Sequence, residues 1–197
     1  VKEVAREMTT KAGQKCTAIR RAIVPRKHLD AVAEKLRARL SKTVVGDPAV
    51  EGVRMGALAS KAQQADVAER VAQLSKCADI VFGEKDGFAP VGEGVAGGAF
   101  FSPTLLACRQ PMQHDAVHDI EAFGPVSTLM PYEGLDEALA LAKRGKGSLV
   151  GTLVTKSPAV AAKAIPQLAA WHGRFLVLDR VASAESTGHG SPLPGLK

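Results

Sequence analysis

Segments with strand character alternate with segments of helical periodicity along most of this chain. Apolar residues recur at helical spacing in five segments, which are 1–9, 26–42, 61–77, 133–144 and 157–171. Short β-branched or apolar runs predict strands at 18–24, 79–84, 126–132, 148–156 and 174–179. This order predicts an α/β fold, a three-layer-like sheet with flanking helices.

Two prolines modify this pattern. Pro103 lies in an extended segment, 100–108, and predicts an edge or irregular strand, because proline cannot donate to a strand ladder. Pro166 lies in the last helical segment and predicts a break in that helix.

Composition bounds the class of protein. With 197 residues, 46% of them hydrophobic and only 4% aromatic, the chain can bury one sizeable core of small aliphatic side chains. No apolar run approaches the roughly 18 residues that span a bilayer, and the amphipathic first residues do not resemble a signal peptide. Cys16, Cys77 and Cys108 are widely spaced, which favours a reducing, cytoplasmic location. We expect the latter two to be buried or half-buried.

The net charge of +6 has two interpretations. One is a solvated, mildly basic surface, and the other is attraction for anionic ligands such as phosphates or coenzyme A. Nucleic acid is not an expected partner, because the basic residues are dispersed and the chain has one Trp and one Tyr.

Several motifs resemble binding sites without their structural context. The stretch GEGVAG, residues 92–97, matches a dinucleotide fingerprint, but an extended segment with a proline follows it, which favours a turn. GKGS, residues 145–148, lacks the first glycine of a phosphate loop and predicts a helix end and a turn. His114 and His118 lack a further ligand, and GHGSP, residues 188–192, lacks an acid partner, so surface histidines and a hydrogen-bonded loop are expected.

Cys16 lies in the stretch KAGQKCTAIRRAIVP, between a glycine-bearing turn and a basic, β-branched run. A metal site is not expected, because the chain has no CxxC and no Cys/His cluster at zinc spacing. Lys15, Arg20 and Arg21 are close in sequence, and nearby positive charge increases the thiolate fraction of a cysteine. These residues alone leave open whether Cys16 is a nucleophile or a small buried residue.

Four motifs, in order, resemble the aldehyde dehydrogenase family. GQKC, residues 13–16, resembles its nucleophile motif, and EAFGPV, residues 121–126, its E-x-F-G-P-V segment. VGDP at 45–48 and FFSPTLL at 100–106 are similar to its G-D-P loop and its x-x-P-T-L strand. VRMGALAS, VHDIEAFGPVSTLMPY and STGHGSPLP further resemble the dehydrogenase part of the bifunctional proteins of phenylacetate degradation, in which an enoyl-CoA-hydratase-like domain is joined to the dehydrogenase.

The resemblance implies a function and roles for three residues. Cys16 would be the nucleophile that forms a thiohemiacetal and then a thioester with an aldehyde. Glu121 would bind the hydroxyls of the nicotinamide ribose, and Phe123 would pack near the nicotinamide. The implied cofactor is NADP, with NAD possible. The implied substrate is a small-molecule aldehyde, possibly a coenzyme-A-linked semialdehyde, and the full-length enzyme is expected to be a homo-oligomer.

The chain also departs from the family pattern. The family's general-base glutamate and its coenzyme-binding domain precede the nucleophile, where this chain has few residues. We therefore expect residues 1–197 to be the catalytic domain of a longer chain, inactive in isolation. The ending SPLPGLK differs from the common S-P-F-G-G-x-K, so a substrate-pocket role for residues 191–197 stays open. Two alternatives remain: an acylating dehydrogenase that uses coenzyme A, and an inactive module that serves subunit contact.

Overall fold

A computed structural model describes residues 1–86, 88–186 and 188–190. It divides the chain into two compact units, Val1–Glu133 and Gly134–Lys197. The helices are α1 Lys2–Thr9, α2 Leu29–Leu40, α3 Lys61–Leu74, α4 Ala116–Asp119, α5 Leu135–Lys143, α6 Pro158–Leu168 and α7 Ala182–Glu185. The strands are β1 Arg21–Pro25, β2 Asp79–Phe82, β3 Thr104–Ala107, β4 Val126–Tyr132, β5 Ser148–Val154 and β6 His172–Leu178. The predicted α/β class is confirmed.

The first unit contains a four-stranded sheet in the order β1-β4-β3-β2. Strand β4 pairs in parallel with β1, where Arg21 is opposite Thr128, and with β3, where Thr104 is opposite Val126. Strand β2 runs antiparallel to β3. The segments that precede β1, β3 and β4 therefore meet at one edge of the sheet, the edge formed by the amino ends of its three parallel strands.

Helices cover both faces of this sheet, which agrees with the burial of successive residues along β3 and β4. Leu105 and Leu129 belong to an apolar cluster that includes buried residues of α1 and α2. Leu106 and Met130 belong to a second cluster, which includes buried residues of α3. The first unit is thus the three-layer arrangement that the alternating sequence pattern predicts.

The second unit is built on two parallel strands, β5 and β6. Leu139 of α5 and Ala164 and Leu168 of α6 form its buried cluster. The break predicted at Pro166 is wrong, because α6 continues through this residue to Leu168. Pro166 lies in the last turn of the helix and lacks the N–H that would donate to the carbonyl of Ala162. Burial of Leu168 nevertheless holds that turn on the core.

Of the two alternatives predicted at Pro103, the edge strand is wrong, whereas an irregular pairing is found: the register of β3 with β2 shifts between Ile80 and Phe82. Strand β3 begins one residue later and pairs on both sides, with β2 and β4. The missing N–H of proline is not needed there, since the ladder starts with Thr104, whose N–H donates to the carbonyl of Pro125 at 2.8 Å.

The turn predictions for the two glycine motifs are confirmed. Val95–Gly97 form a single 3-10 turn, and the next regular element is strand β3. Helix α5 ends at Lys143, and Lys146 and Gly147 then adopt left-handed backbone angles, with φ of 54° and 116°.

Two further properties concern function classes. Within the described part of the chain, no helix has both the length and the apolar character needed to cross a membrane. Among the same residues, no cluster of three or more His, Cys, Asp or Glu side chains could hold a metal ion.

Candidate active site

The loop that carries Cys16 connects α1 with β1 through an unusual backbone turn. Lys11, Ala12 and Gly13 have φ values of 54°, 51° and 70°, so three consecutive residues are left-handed. Each non-glycine residue in this region costs about 1–2 kcal/mol. Because the turn persists despite this cost, contacts with other parts of the structure must hold it.

One such contact is a close approach of two backbone segments at Gly13. A Cβ atom on Gly13 would lie 2.1 Å from the carbonyl oxygen of Gly124 and 2.8 Å from the Cα of Pro125. Gly124 is equally restricted, since its Cβ would lie 2.8 Å from a methyl group of Val67 on α3. The motifs GQKC and EAFGPV therefore touch because Gly13 has no side chain, and the missing side chain of Gly124 makes room for Val67.

Arg20 joins the same two motifs by hydrogen bonds. Its Nη2 donates to the carbonyl oxygens of Gly13 at 2.7 Å and Lys15 at 3.3 Å. Its Nη1 donates to the carbonyl oxygen of Gly124 at 2.7 Å. The planar fork of the guanidinium suits this task, because its donors point in fixed, divergent directions.

The same guanidinium contacts both residues to which the resemblance gives a cofactor role. Arg20 Nε donates to Oε1 of Glu121 at 3.3 Å, and the Arg20 Cζ lies 5.2 Å from the centre of the Phe123 ring. The side chain of Arg20 is 17% exposed, whereas that of Glu121 is 58% exposed. Burial lowers the pKa of Arg20, and the charge of Glu121 opposes this shift.

Cys16 is exposed, which removes the buried-filler interpretation. Its backbone N–H makes no hydrogen bond to any other residue that the structure describes. The two residues before it are fixed: the Gln14 side chain accepts from the N–H of Ala59 at 2.9 Å, and Lys15 Nζ pairs with the buried Glu7 carboxylate at 2.7 Å. Cys16 is thus exposed on a loop that Gln14 and Lys15 anchor before it and Arg20 anchors after it.

The predicted burial of the other two cysteines is confirmed. Cys108 is buried and Cys77 is half-buried. Burial raises the pKa of both thiols above their ordinary value.

The histidines singled out in the sequence do not join the site. His118 is half-buried rather than on the surface: its Nε2 lies 2.9 Å from the carbonyl of Pro111 and its Nδ1 lies 3.1 Å from Arg21. His189 in the second unit bonds Thr152 and Gly151. Its neighbour Ser191 and the rest of the SPLPGLK stretch lie outside the described residues.

Sequence reasoning placed Cys16, Glu121 and Phe123 in one site but missed what assembles them. The sequence predicts Arg20 only as a positive charge near Cys16, and it does not predict the contact of Gly13 with Gly124. Gln63 was also missed: its Nε2 donates to the carbonyl oxygen of Phe123 at 3.1 Å. A glycine in each motif was the one available signal, but glycines are frequent here, with 19 in the chain.

Known proteins of one family are similar to this chain. The aldehyde dehydrogenase family matches residues 1–186. Over 194 residues the chain is 45% identical to 3,4-dehydroadipyl-CoA semialdehyde dehydrogenase of Aromatoleum evansii, a match that covers 98% of this chain and 38% of that protein. Over 144 residues it is 52% identical to Protein MaoC of Klebsiella aerogenes, covering 72% of this chain and 41% of that protein.

A solved structure gives the same result. A variant of aldehyde dehydrogenase C from Pseudomonas syringae, in complex with NAD+ and octanal, superposes with a TM-score of 0.70 at 26% identity. The superposition covers 89% of this chain and 35% of that one. The chain therefore spans about two fifths of the length of the curated relatives it matches. On the family match, the sequence identities and the shared fold together, the chain belongs to the aldehyde dehydrogenase family.

Proposed function

We propose that residues 1–197 form the catalytic, cysteine-bearing domain of an enzyme that oxidises an aldehyde to the acid with a nicotinamide dinucleotide. The observation that carries this proposal is the anchoring of the exposed Cys16 loop against the Glu121–Val126 segment through Gly13 and Arg20. The match to the Aromatoleum evansii relative covers 38% of that protein, so we assign the coenzyme-binding domain and the general base to sequence beyond these residues.

Cys16 is the proposed nucleophile. Its sulfur adds to the carbonyl carbon of the aldehyde, and the carbonyl oxygen gains the negative charge of a thiohemiacetal oxyanion. Support comes from the exposure of the thiol and from the N–H of Cys16, which has no partner among the described residues and can donate to that oxyanion. Removal of hydride from the carbon bonded to sulfur then leaves an acyl thioester on Cys16. Water hydrolyses this thioester to the acid and restores the thiol.

Glu121 and Phe123 have the chemistry needed to hold a nicotinamide riboside. The Glu121 carboxylate is 58% exposed and uses Oε1 for its bond with Arg20. A carboxylate has enough lone pairs to accept from two ribose hydroxyls as well. Phe123 offers an aromatic surface against which a flat ring can pack. When bound, the dinucleotide supplies the hydride acceptor.

We propose NADP as the dinucleotide, with NAD as the alternative. NADP follows from the resemblance to the phenylacetate-degradation proteins, whereas the Pseudomonas syringae structure contains NAD+. The two are distinguished by measuring kcat/KM with each cofactor in the same preparation.

The proposed substrate is a coenzyme-A-linked semialdehyde formed during degradation of aromatic compounds. The name of the Aromatoleum evansii relative contains such a compound, and that relative matches 98% of this chain. A net charge of +6 also favours the phosphate groups of coenzyme A.

The experiment uses the protein expressed from its complete coding sequence. Nicotinamide reduction is followed by absorbance with a coenzyme-A-linked semialdehyde, and wild type is compared with Cys16→Ala and with Cys77→Ala as a matched control. We expect Cys16→Ala to abolish turnover and Cys77→Ala to retain it. Equal turnover in wild type and Cys16→Ala would overturn the mechanism.

Other outcomes of this experiment correct single parts of the proposal. Activity that depends on Cys16 but is limited to simple aldehydes would remove the coenzyme-A assignment. Release of an acyl-CoA thioester in place of the free acid would identify an acylating enzyme. Complete inactivity of a folded, oligomeric wild type would favour the subunit-contact alternative, and size-exclusion chromatography of the same sample tests the expected homo-oligomer.

A further inference from the structure

We propose that Arg20 is a positioning residue that couples the loop carrying Cys16 to the Glu121–Val126 segment, so that the positions of Cys16 and Glu121 relative to each other stay fixed. This inference rests on the proposed function for the roles of the two residues, but the coupling itself rests on the contacts of Arg20 alone.

The contacts of Arg20 divide between the two segments. On one side it holds the carbonyl oxygens of Gly13, the last residue of the left-handed turn, and of Lys15, the residue before Cys16. On the other side it holds the carbonyl oxygen of Gly124 and the carboxylate of Glu121. A single rigid group therefore fixes the distance between the segments, which are separated by about a hundred residues of sequence.

The burial of Arg20 makes this coupling stiff. Its side chain is only 17% exposed, and the ring of Phe123 lies against its guanidinium. A half-buried guanidinium that loses a carbonyl partner leaves a donor unsatisfied, which is costly. Movement of either segment away from Arg20 is therefore resisted by the free-energy cost of this unsatisfied donor. We expect the two segments to move together or not at all.

Arg20 also orients the Glu121 carboxylate. Glu121 is mostly exposed, and an exposed glutamate samples many rotamers unless a partner holds it. The bond from Arg20 Nε to Oε1 restrains the carboxylate near the Cys16 loop. Because Arg20 acts through Glu121 and through the loop, its removal should affect both the cofactor KM and kcat.

Arg20→Lys is the test variant, because it retains the charge but loses the planar fork. Arg21→Lys is the matched control: Arg21 is the adjacent residue, burial lowers the pKa of its guanidinium as well, and its Nη1 lies 3.1 Å from Nδ1 of His118 on α4. Both are made in the protein expressed from its complete coding sequence, and both are assayed under conditions in which they are folded.

For Arg20→Lys we expect a rise in the cofactor KM of roughly tenfold, the effect of about one hydrogen bond. We expect kcat to fall by about 100-fold, as a displacement near 1 Å produces at a reacting centre. Arg21→Lys should change neither constant. In a Glu121→Gln background, Arg20→Lys should raise the cofactor KM no further, because the path through Glu121 is already lost.

Hydrogen exchange gives a readout that does not need activity. In Arg20→Lys, amide exchange should rise in peptides covering residues 11–20 and 120–126 together, and Arg21→Lys should leave both unchanged. Exchange that rises in only one of the two segments, or equal kinetic effects of the two variants, would overturn the coupling. An inactive wild type would refute the proposed function, and the exchange result would still decide whether Arg20 couples the segments.

Discussion

Substitution of Gly13 by alanine isolates the close contact on which the site depends. The new Cβ would lie 2.1 Å from the carbonyl oxygen of Gly124, where real Cβ contacts essentially never fall under 3.0 Å, so the two segments must separate by about 0.9 Å. That separation also weakens the bonds of Arg20 to Gly13 and Gly124, each of 2.7 Å.

The expected stability loss has two parts. Alanine at a φ of +70° costs about 1–2 kcal/mol of folding free energy, and the lower conformational entropy of its unfolded chain offsets about half of this cost. Two weakened hydrogen bonds at about 1 kcal/mol each bring the total to about 3 kcal/mol. We expect turnover of the folded variant to fall by about 100-fold, because Cys16 moves relative to Glu121.

Gly94 supplies a matched control. It has almost the same backbone angle, φ +69°, but a Cβ there meets nothing within 4 Å. Gly94→Ala should therefore lose only the conformational part, about 1 kcal/mol, and keep full turnover. Both variants are compared with wild type by urea unfolding and by nicotinamide reduction. If Gly13→Ala loses no more stability or activity than Gly94→Ala, the argument from close contact is refuted.

Two further predictions concern charge and burial. Lys15→Met should destabilise the protein by about 2 kcal/mol in urea unfolding, because the Glu7 carboxylate, whose side chain is 7% exposed, loses its 2.7 Å bond to Lys15 and keeps the longer contact with Arg6 at 3.5 Å; the double variant Lys15→Met/Glu7→Gln should recover part of this loss, and no recovery would contradict the pairing. Burial raises the pKa of the Cys108 thiol above its ordinary value of 9.0, so above this pH the unfolded state binds fewer protons than the native state and stability falls as pH rises. Cys108→Ala should show a smaller fall than wild type between pH 9 and 10.5, and parallel curves would contradict the assignment.

The sequence was most informative where structure depends on near neighbours. Strand β4 has the predicted bounds, residues 126–132, and its first six residues are all buried, as expected of a central strand that is covered on both faces. The start of β1 was less predictable. The strand begins at Arg21 rather than at residue 18, because residues 18–20 belong to the loop that the Arg20 side chain ties to other segments.

Periodicity and motifs are local properties of the chain, so the residues alone predict the α/β class, the order of the longer helices and strands, and Cys16, Glu121 and Phe123 as candidate site residues. The strand order β1-β4-β3-β2, the internal place of β3, and the contacts of Gly13 and Arg20 are seen only in the folded chain. These depend on contacts between segments about a hundred residues apart, where burial and close approach, rather than neighbouring residues, set the free energy. Glycine is required at position 13 because the carbonyl oxygen of Gly124 leaves no room for a side chain there, and the residues beside Gly13 do not predict this contact.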